Sequence, residues 1–247
     1  MRLYEHEGKA IFKKYGIPVP DSYLLKGTDD LADVPDDFFP AIAKAQVLVG
    51  GRGKAGGIVK VADRSEAARE VERLMGTRIR GYEVAAVLLE GIVEVDREVY
   101  LGVTIDRFEH RPVMIGSTLG GMDVETAAKE RPEDFHRIWL EPEQEVEPYM
   151  GRELAHRMGF KGKQMAGLGG LATKLYKAFK GTDGKMCEIN PLGVLADGSF
   201  IAMDSRMNLD TDALFRHPEL KELGIEGGRH EEGELTPNEE KARDAGF

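Results

Sequence analysis

At 247 residues, with 34 Lys and Arg against 44 Asp and Glu, the chain carries a formal net charge of −10, which argues against a nucleic-acid or anionic-membrane surface. No apolar run approaches the roughly 20 residues that span a bilayer, and the opening Met1–Glu7 lacks the apolar core of a signal peptide. The single cysteine, Cys187, excludes an internal disulfide and suits a reducing cytoplasm. It sits beside Glu188 in an apolar segment with no activating cation, so it reads as a core residue and not a nucleophile.

In chain order, residues 5–15 predict an amphipathic helix, with Ala10, Ile11 and Phe12 toward a core and Lys13 and Lys14 outside. Gly16-Ile17-Pro18-Val19-Pro20 ends it. Residues 29–37 are acidic and loosely patterned. The segment from Phe39 to Ala45 leads into a buried strand, and Ile58–Val61 is a second strand. Residues 65–75 predict a helix with Ser65 as N-cap. Strands follow near 84–90, 97–105 and 112–117, then a helix from Asp123 to Lys129. Helices are expected at 151–158 and 163–180, the second with Leu171, Leu175 and Phe179 at helical spacing. A hairpin over 185–204 turns at Asp197-Gly198. From Gly224 the chain becomes polar and turn-rich, a linker or tail that buries little apolar surface.

Two segments carry chemistry. Lys44 lies on a strand that leads into Gly50-Gly51-Arg52-Gly53-Lys54-Ala55-Gly56-Gly57. Glycines allow close backbone approach and let several N–H groups face one anion, while Arg52 and Lys54 offset its charge. No Gly-Lys-Ser/Thr closes the loop, so it is not a Walker loop; alone it fits either phosphate binding or a plain mobile turn. The second segment is Cys187-Glu188-Ile189-Asn190-Pro191-Leu192, a short strand stopping at Pro191, followed by a strand that ends at Asp204. Asn190 and Asp204 offer one neutral and one charged hard oxygen, a pair suited to Mg²⁺ bridging phosphates. Glu188, two residues before Asn190, shares its strand face.

These elements in this order resemble the ATP-grasp family, and within it the β subunit of succinyl-CoA synthetase and related nucleoside-diphosphate-forming acyl-CoA ligases. The likeness begins at Glu5-His6-Glu7-Gly8-Lys9-Ala10 and Gly16-Ile17-Pro18-Val19-Pro20. It continues through Glu98-Val99-Tyr100-Leu101-Gly102-Val103, Gly151-Arg152-Glu153-Leu154-Ala155 and Asp212-Ala213-Leu214-Phe215-Arg216-His217-Pro218, covering about residues 1–220.

The resemblance implies an α/β (α+β) ATP-grasp fold over residues 1–223, two lobes clasping a nucleotide. The small nucleotide lobe covers about 21–92 and the larger lobe the remainder; residues 224–247 form the tail, and the family's C-terminal CoA-ligase domain is absent. It implies ATP/ADP and Mg²⁺ as cofactors. Lys44, Gly51, Arg52 and Gly53 would bind phosphates. Glu90 and Val93 would meet adenine, Val93 through its backbone, and Glu98 the ribose hydroxyls. Asn190 and Asp204 match the Mg²⁺ ligands. Glu188 is the expected catalytic residue, contacting a phosphohistidine carried by a partner α subunit that also holds the CoA site. Pro20 favours ATP over GTP. Arg206, in Asp204-Ser205-Arg206, stands where the family has Lys.

None of the histidines, His6, His110, His136, His156, His217 and His230, lies in a phosphate relay motif, so no phosphohistidine is expected on this chain. The implied activity is ADP-forming ligation of a small carboxylic acid to CoA, as in the tricarboxylic acid cycle, in the cytoplasm and without nucleic acid or membrane. The alternatives are another ATP-grasp ligase acting through an acyl phosphate and a non-catalytic nucleotide-binding module.

Overall fold

The computed structural model describes residues 1–121 and 124–225. Helix α1 (Glu5–Lys14) opens the chain, with acids in its first turn and Lys13 and Lys14 in its last, each complementing the helix dipole. Ile11 and Phe12 are buried as expected, but Glu5, Glu7 and Lys9 are buried too. The apolar pattern could not anticipate this, because the face beside Ile11 and Phe12 packs on charged partners.

A first antiparallel sheet has the order β1-β6-β2-β3. It comprises β1 (Ser22–Leu25), β2 (Ala41–Gln46), β3 (Ile58–Val61) and β6 (Ala86–Gly91). Helix α2 (Arg64–Met75) packs its Ala67, Val71 and Leu74 beneath it. The cap of α2 is Asp63, whose carboxylate accepts from Glu66 N–H at 2.8 Å, in place of the expected Ser65. Between α2 and β6, β4 (Arg78–Ile79) and β5 (Tyr82–Glu83) form a small hairpin. Its two-residue turn, Arg80-Gly81, has both φ angles positive, the geometry that matches strand twist.

The second sheet runs β11-β10-β7-β8-β9, with β12 also pairing β10. Its strands are β7 (Arg97–Asp106), β8 (Arg111–Ser117), β9 (Phe135–Trp139), β10 (Gly184–Val194), β11 (Phe200–Ala202) and β12 (Arg206–Leu209). Helices α3 (Val124–Glu130), α4 (Pro148–Arg157), α5 (Gly162–Gly181) and α6 (Glu219–Glu222) complete the described chain. Val99, Leu101 and Val103 of β7 and Cys187 and Ile189 of β10 point into the main core, where Leu154 of α4 and Leu171, Leu175 and Phe179 of α5 meet them. Alternation therefore turns Glu98, Tyr100, Glu188 and Asn190 to the opposite face.

Several elements differ from expectation. β10 does not stop at Pro191; it shifts register between Ile189 and Leu192 and continues to Val194. A β-bulge absorbs a residue without ending the strand. β1, β9 and β12 have no counterpart in the sequence reading, being short and half-polar, and their pairing is supplied by neighbours. Of the expected tail, Ile225 is buried against the core and donates to Leu220 O at 3.0 Å; residues 226–247 and the expected helix start at Asp123 lie outside the described residues.

Candidate nucleotide-phosphate site

Lys44 sits on β2 directly opposite Leu88 of β6 and Ile58 of β3. It is 7 % exposed. Its ammonium donates to Glu90 at the end of β6 and to Met203 O at 2.8 Å, and pairs with Glu5 at 3.2 Å. Burial alone would lower its pKa, but Glu5, Glu90 and Asp204 outweigh that and hold the charged form well above the ordinary lysine range.

The glycine-rich loop is a folded turn. Gly57 N–H donates to Arg52 O at 2.9 Å and Ala45 N–H to Gly57 O at 2.8 Å. Arg52 turns beneath the loop while Lys54 stays exposed. The Arg52 guanidinium donates to Ala45 O at 3.1 Å and to both Asp204 oxygens at 3.0 and 3.2 Å, and lies 2.6 Å from Glu5 Oε2. Nη2 makes both Asp204 contacts while Nη1 serves Ala45 O and Glu5, so the guanidinium bridges two carboxylates from distant parts of the chain. Gly51 has φ +74°, and a side chain there would meet the Arg80 guanidinium of the β4–β5 turn at 2.8 Å.

Glu90 is 1 % exposed and accepts from Lys9 as well as Lys44. Its carboxylate is a counter-ion inside the lysine pair, a position that leaves the expected adenine contact without its side chain. Lys9 and Glu5 of α1 were not read as site residues, since the helix pattern marks only apolar positions. Burial would raise the Glu5 pKa, but Arg52, Lys9 and Lys44 together hold its carboxyl well below the usual range.

Asn190 lies at the register shift within β10 and Asp204 in the link between β11 and β12, which run alongside: Leu192 pairs Ala202, and Met203 N–H donates to Pro191 O at 3.1 Å. Asn190 Oδ1 accepts from Gly121 N–H at 2.9 Å, and Asp204 accepts from Ser205 N–H at 2.7 Å. Among the described residues no group of three His, Cys, Asp or Glu side chains forms a metal cage. One carboxylate and one amide oxygen nonetheless fit Mg²⁺, which takes few protein ligands and completes its shell with phosphates and water.

Glu98 is exposed at the start of β7, opposite Gly193. The loop after β8 closes on it. A Cβ at Gly120 would lie 2.5 Å from Val99 N, and one at Gly121 would strike the Glu98 carboxylate. This Gly120-Gly121 pair, touching both Glu98 and Asn190, was missed by the sequence reading, although adjacent glycines after a strand are a detectable signal. Val93 is half-buried in the β6–β7 connection, and Gly53 is exposed in the loop.

Glu188 forms a separate group. Tyr100 OH donates to its Oε2 at 3.2 Å and Arg206 to its Oε1 at 3.3 Å. Burial pushes the Glu188 carboxyl up against the opposing pull of Arg206 and Tyr100. A side chain at Gly102, paired with Glu188, would clash with the Tyr100 ring, whose Cζ would lie 2.9 Å away. Cys187 is fully buried, and burial pushes its thiol well up, with Glu188 adding to the shift.

Among curated proteins, the chain is 40 % identical over its whole length to the succinate–CoA ligase [ADP-forming] subunit beta of Halorubrum lacusprofundi. It is 39 % identical to the succinate–CoA ligase [GDP-forming] subunit beta of Thermus thermophilus. It spans 64 % of the length of each of these relatives. Among solved structures, the dinucleotide-forming acetyl-coenzyme A synthetase 1 of Ca. Korarchaeum cryptofilum, in complex with coenzyme A and Ca-AMPCP, superimposes with a TM-score of 0.67. That match covers 85 % of this chain and 93 % of the other at 18 % identity, a likeness of fold. Two sheets whose facing ends converge on one cluster of lysine, arginine and carboxylates agree with the sequence match over residues 2–194: the chain belongs to the family of the ATP-grasp domain.

Proposed function

We propose that this chain is the nucleotide- and Mg²⁺-binding subunit, or a fragment of it, of an ADP-forming carboxylate–CoA ligase of the succinate–CoA ligase type. It passes phosphate between ATP and a phosphohistidine on a partner α subunit that carries the CoA site, with CoA and a small carboxylic acid as the further substrates. The observation that carries the proposal is that Arg52, from the loop of the first sheet, meets Asp204 and that Lys44 of that sheet meets Met203 O, both in the link between β11 and β12 of the second sheet. It is supported by two relatives named succinate–CoA ligase subunit beta, one ADP-forming at 40 % identity and one GDP-forming at 39 %.

In this reading Lys44 and Arg52 neutralise phosphate charge, and Gly51 and Gly53 let the loop backbone approach. Asn190 and Asp204 would hold Mg²⁺, which supplies positive charge to the transferring phosphoryl group. Catalysis is positioning and electrostatic stabilisation, with no nucleophile required from this chain. Glu98 accepts from the ribose hydroxyls and the Val93 backbone meets the adenine. Glu188, held by Tyr100 and Arg206, faces the phosphohistidine. Glu90 serves the site as counter-ion to its lysines. Pro20, matching the family's position near the nucleotide entrance, supports ATP over GTP, and the single cysteine supports a cytoplasmic place; among the described residues no helix is long and apolar enough to cross a membrane.

The test is calorimetric titration of ADP into the chain with and without Mg²⁺, beside Asp204→Asn. Binding that Mg²⁺ strengthens in the parent, and no longer strengthens in Asp204→Asn, is the expected result. Equal Mg²⁺ dependence in the two proteins removes Asp204 from the metal site.

A further inference from the structure

Helix α1 carries two charged side chains into the phosphate-facing cluster: Glu5 is 4 % exposed and Lys9 3 %. Glu5 touches all of the cluster's cations. Its Oε1 accepts from Lys9 at 2.8 Å and lies 3.2 Å from Lys44, and its Oε2 lies 2.6 Å from Arg52. Lys9 duplicates the contacts of Lys44, since both meet Glu5, Glu90 and Met203 O. The helix is held against this spot at Gly8, where any side chain would overlap Ser205, next to Asp204.

The charges balance as they stand: Lys9, Lys44 and Arg52 face Glu5, Glu90 and Asp204. Removing one partner from such a buried set leaves an uncompensated charge, which is costly. If Lys44 and Arg52 turn to an incoming phosphate, Glu5 and Glu90 retain only Lys9. We propose that Glu5 and Lys9 are positioning residues of the nucleotide-phosphate site and act on anion affinity with opposite signs. Glu5 holds Lys44 and Arg52 together and competes with phosphate for them. Lys9 neutralises Glu5 and Glu90 and so frees Lys44. The proposal rests on the reading that the phosphates of a nucleoside diphosphate meet Lys44 and Arg52.

The experiment is calorimetric titration of ADP into the full chain, as parent, Glu5→Gln, Lys9→Met, the double variant and Lys44→Met, with thermal unfolding of each. Glu5→Gln is expected to tighten ADP and Lys9→Met to weaken it, each roughly tenfold, the scale for one unit charge several ångströms from a phosphate at an effective dielectric of about 40. The double variant, again charge-balanced, is expected to return near the parent. A residue that merely braces the fold weakens binding in both single variants and again in the double, and that pattern overturns the proposal. Should Lys9→Met fail to fold, the sign of the Glu5→Gln change and the affinity of the double variant decide. If the parent binds no ADP, or Lys44→Met binds it equally well, the underlying reading falls and the proposal with it. If Lys44→Met loses ADP while both single α1 variants shift the same way, the proposal alone falls.

Discussion

Replacing Gly151 by Ala tests the contact that seats the two long helices behind the second sheet. Gly151 of α4 faces Gly169 of α5. A Cβ on Gly151 would lie 2.9 Å from the Gly169 carbonyl carbon and 2.9 Å from Thr173 Oγ1, and nearer still to the Gly169 oxygen. Carbon atoms rest about 3.5–4.0 Å apart, so the helices must separate by something near 1 Å. That oxygen also accepts from Thr173 Oγ1 at 2.9 Å, so the shift strains a buried hydrogen bond as well. Overpacking of this kind costs about 1–3 kcal/mol, against which Ala regains up to about 1 kcal/mol of helix propensity. A contact this close lies at the upper end, and the expected net loss is about 2 kcal/mol, or about 4–8 °C in Tm for a domain of this size. Gly170 is the internal control. It is exposed, in the same helix as Gly169, and a Cβ there meets nothing within 4 Å. Gly170→Ala should gain about 0.5–1 kcal/mol. Thermal unfolding followed by circular dichroism reads both variants. A Gly151→Ala protein melting within about 1 °C of the parent, or the two variants shifting alike, refutes the packing argument.

The remaining predictions concern titrating groups. His217 places Nε2 2.6 Å from Asp183 and Nδ1 3.0 Å from Glu219, so both ring nitrogens face carboxylate oxygens. Burial opposes protonation, but the hydrogen bonds to Asp183 and Glu219 outweigh it and raise the His217 pKa above its ordinary 6.5. The stabilisation it brings is therefore complete below pH 6.5 and lost as pH rises through the higher folded value. Amide exchange over residues 211–217, corrected for intrinsic rates, should accelerate across that interval and lose the dependence in His217→Gln; flat protection in the parent contradicts the assignment. At Glu188, burial raises the carboxyl while Arg206 and the Tyr100 hydroxyl pull it down. Tyr100→Phe removes one of those pulls, so carboxyl-carbon NMR should find Glu188 titrating at higher pH, and an unchanged or lower midpoint rules out the hydrogen bond as a determinant.

The legible part of this protein was local. Apolar segments marked β2, β6, β7 and β8, because each is buried on both faces over much of its length. Helical spacing of Leu171, Leu175 and Phe179 marked α5. Two local backbone features were legible too: the glycine-rich turn after Lys44, and the shared strand face of Glu188 and Asn190. What the sequence left open depends on which segments meet. β1, β9 and β12 are strands only because a neighbour offers hydrogen bonds. α1 buries Glu5 and Lys9 because their partners come from residues 44, 52 and 90. Glu90 becomes a lysine counter-ion for the same reason. A buried charge has no sequence period, since its stability lies in partners distant along the chain, so only the tertiary structure decided where these charges went. By itself the sequence determined the apolar segments of the main strands and of α5 and the order of the glycine-rich and acidic segments.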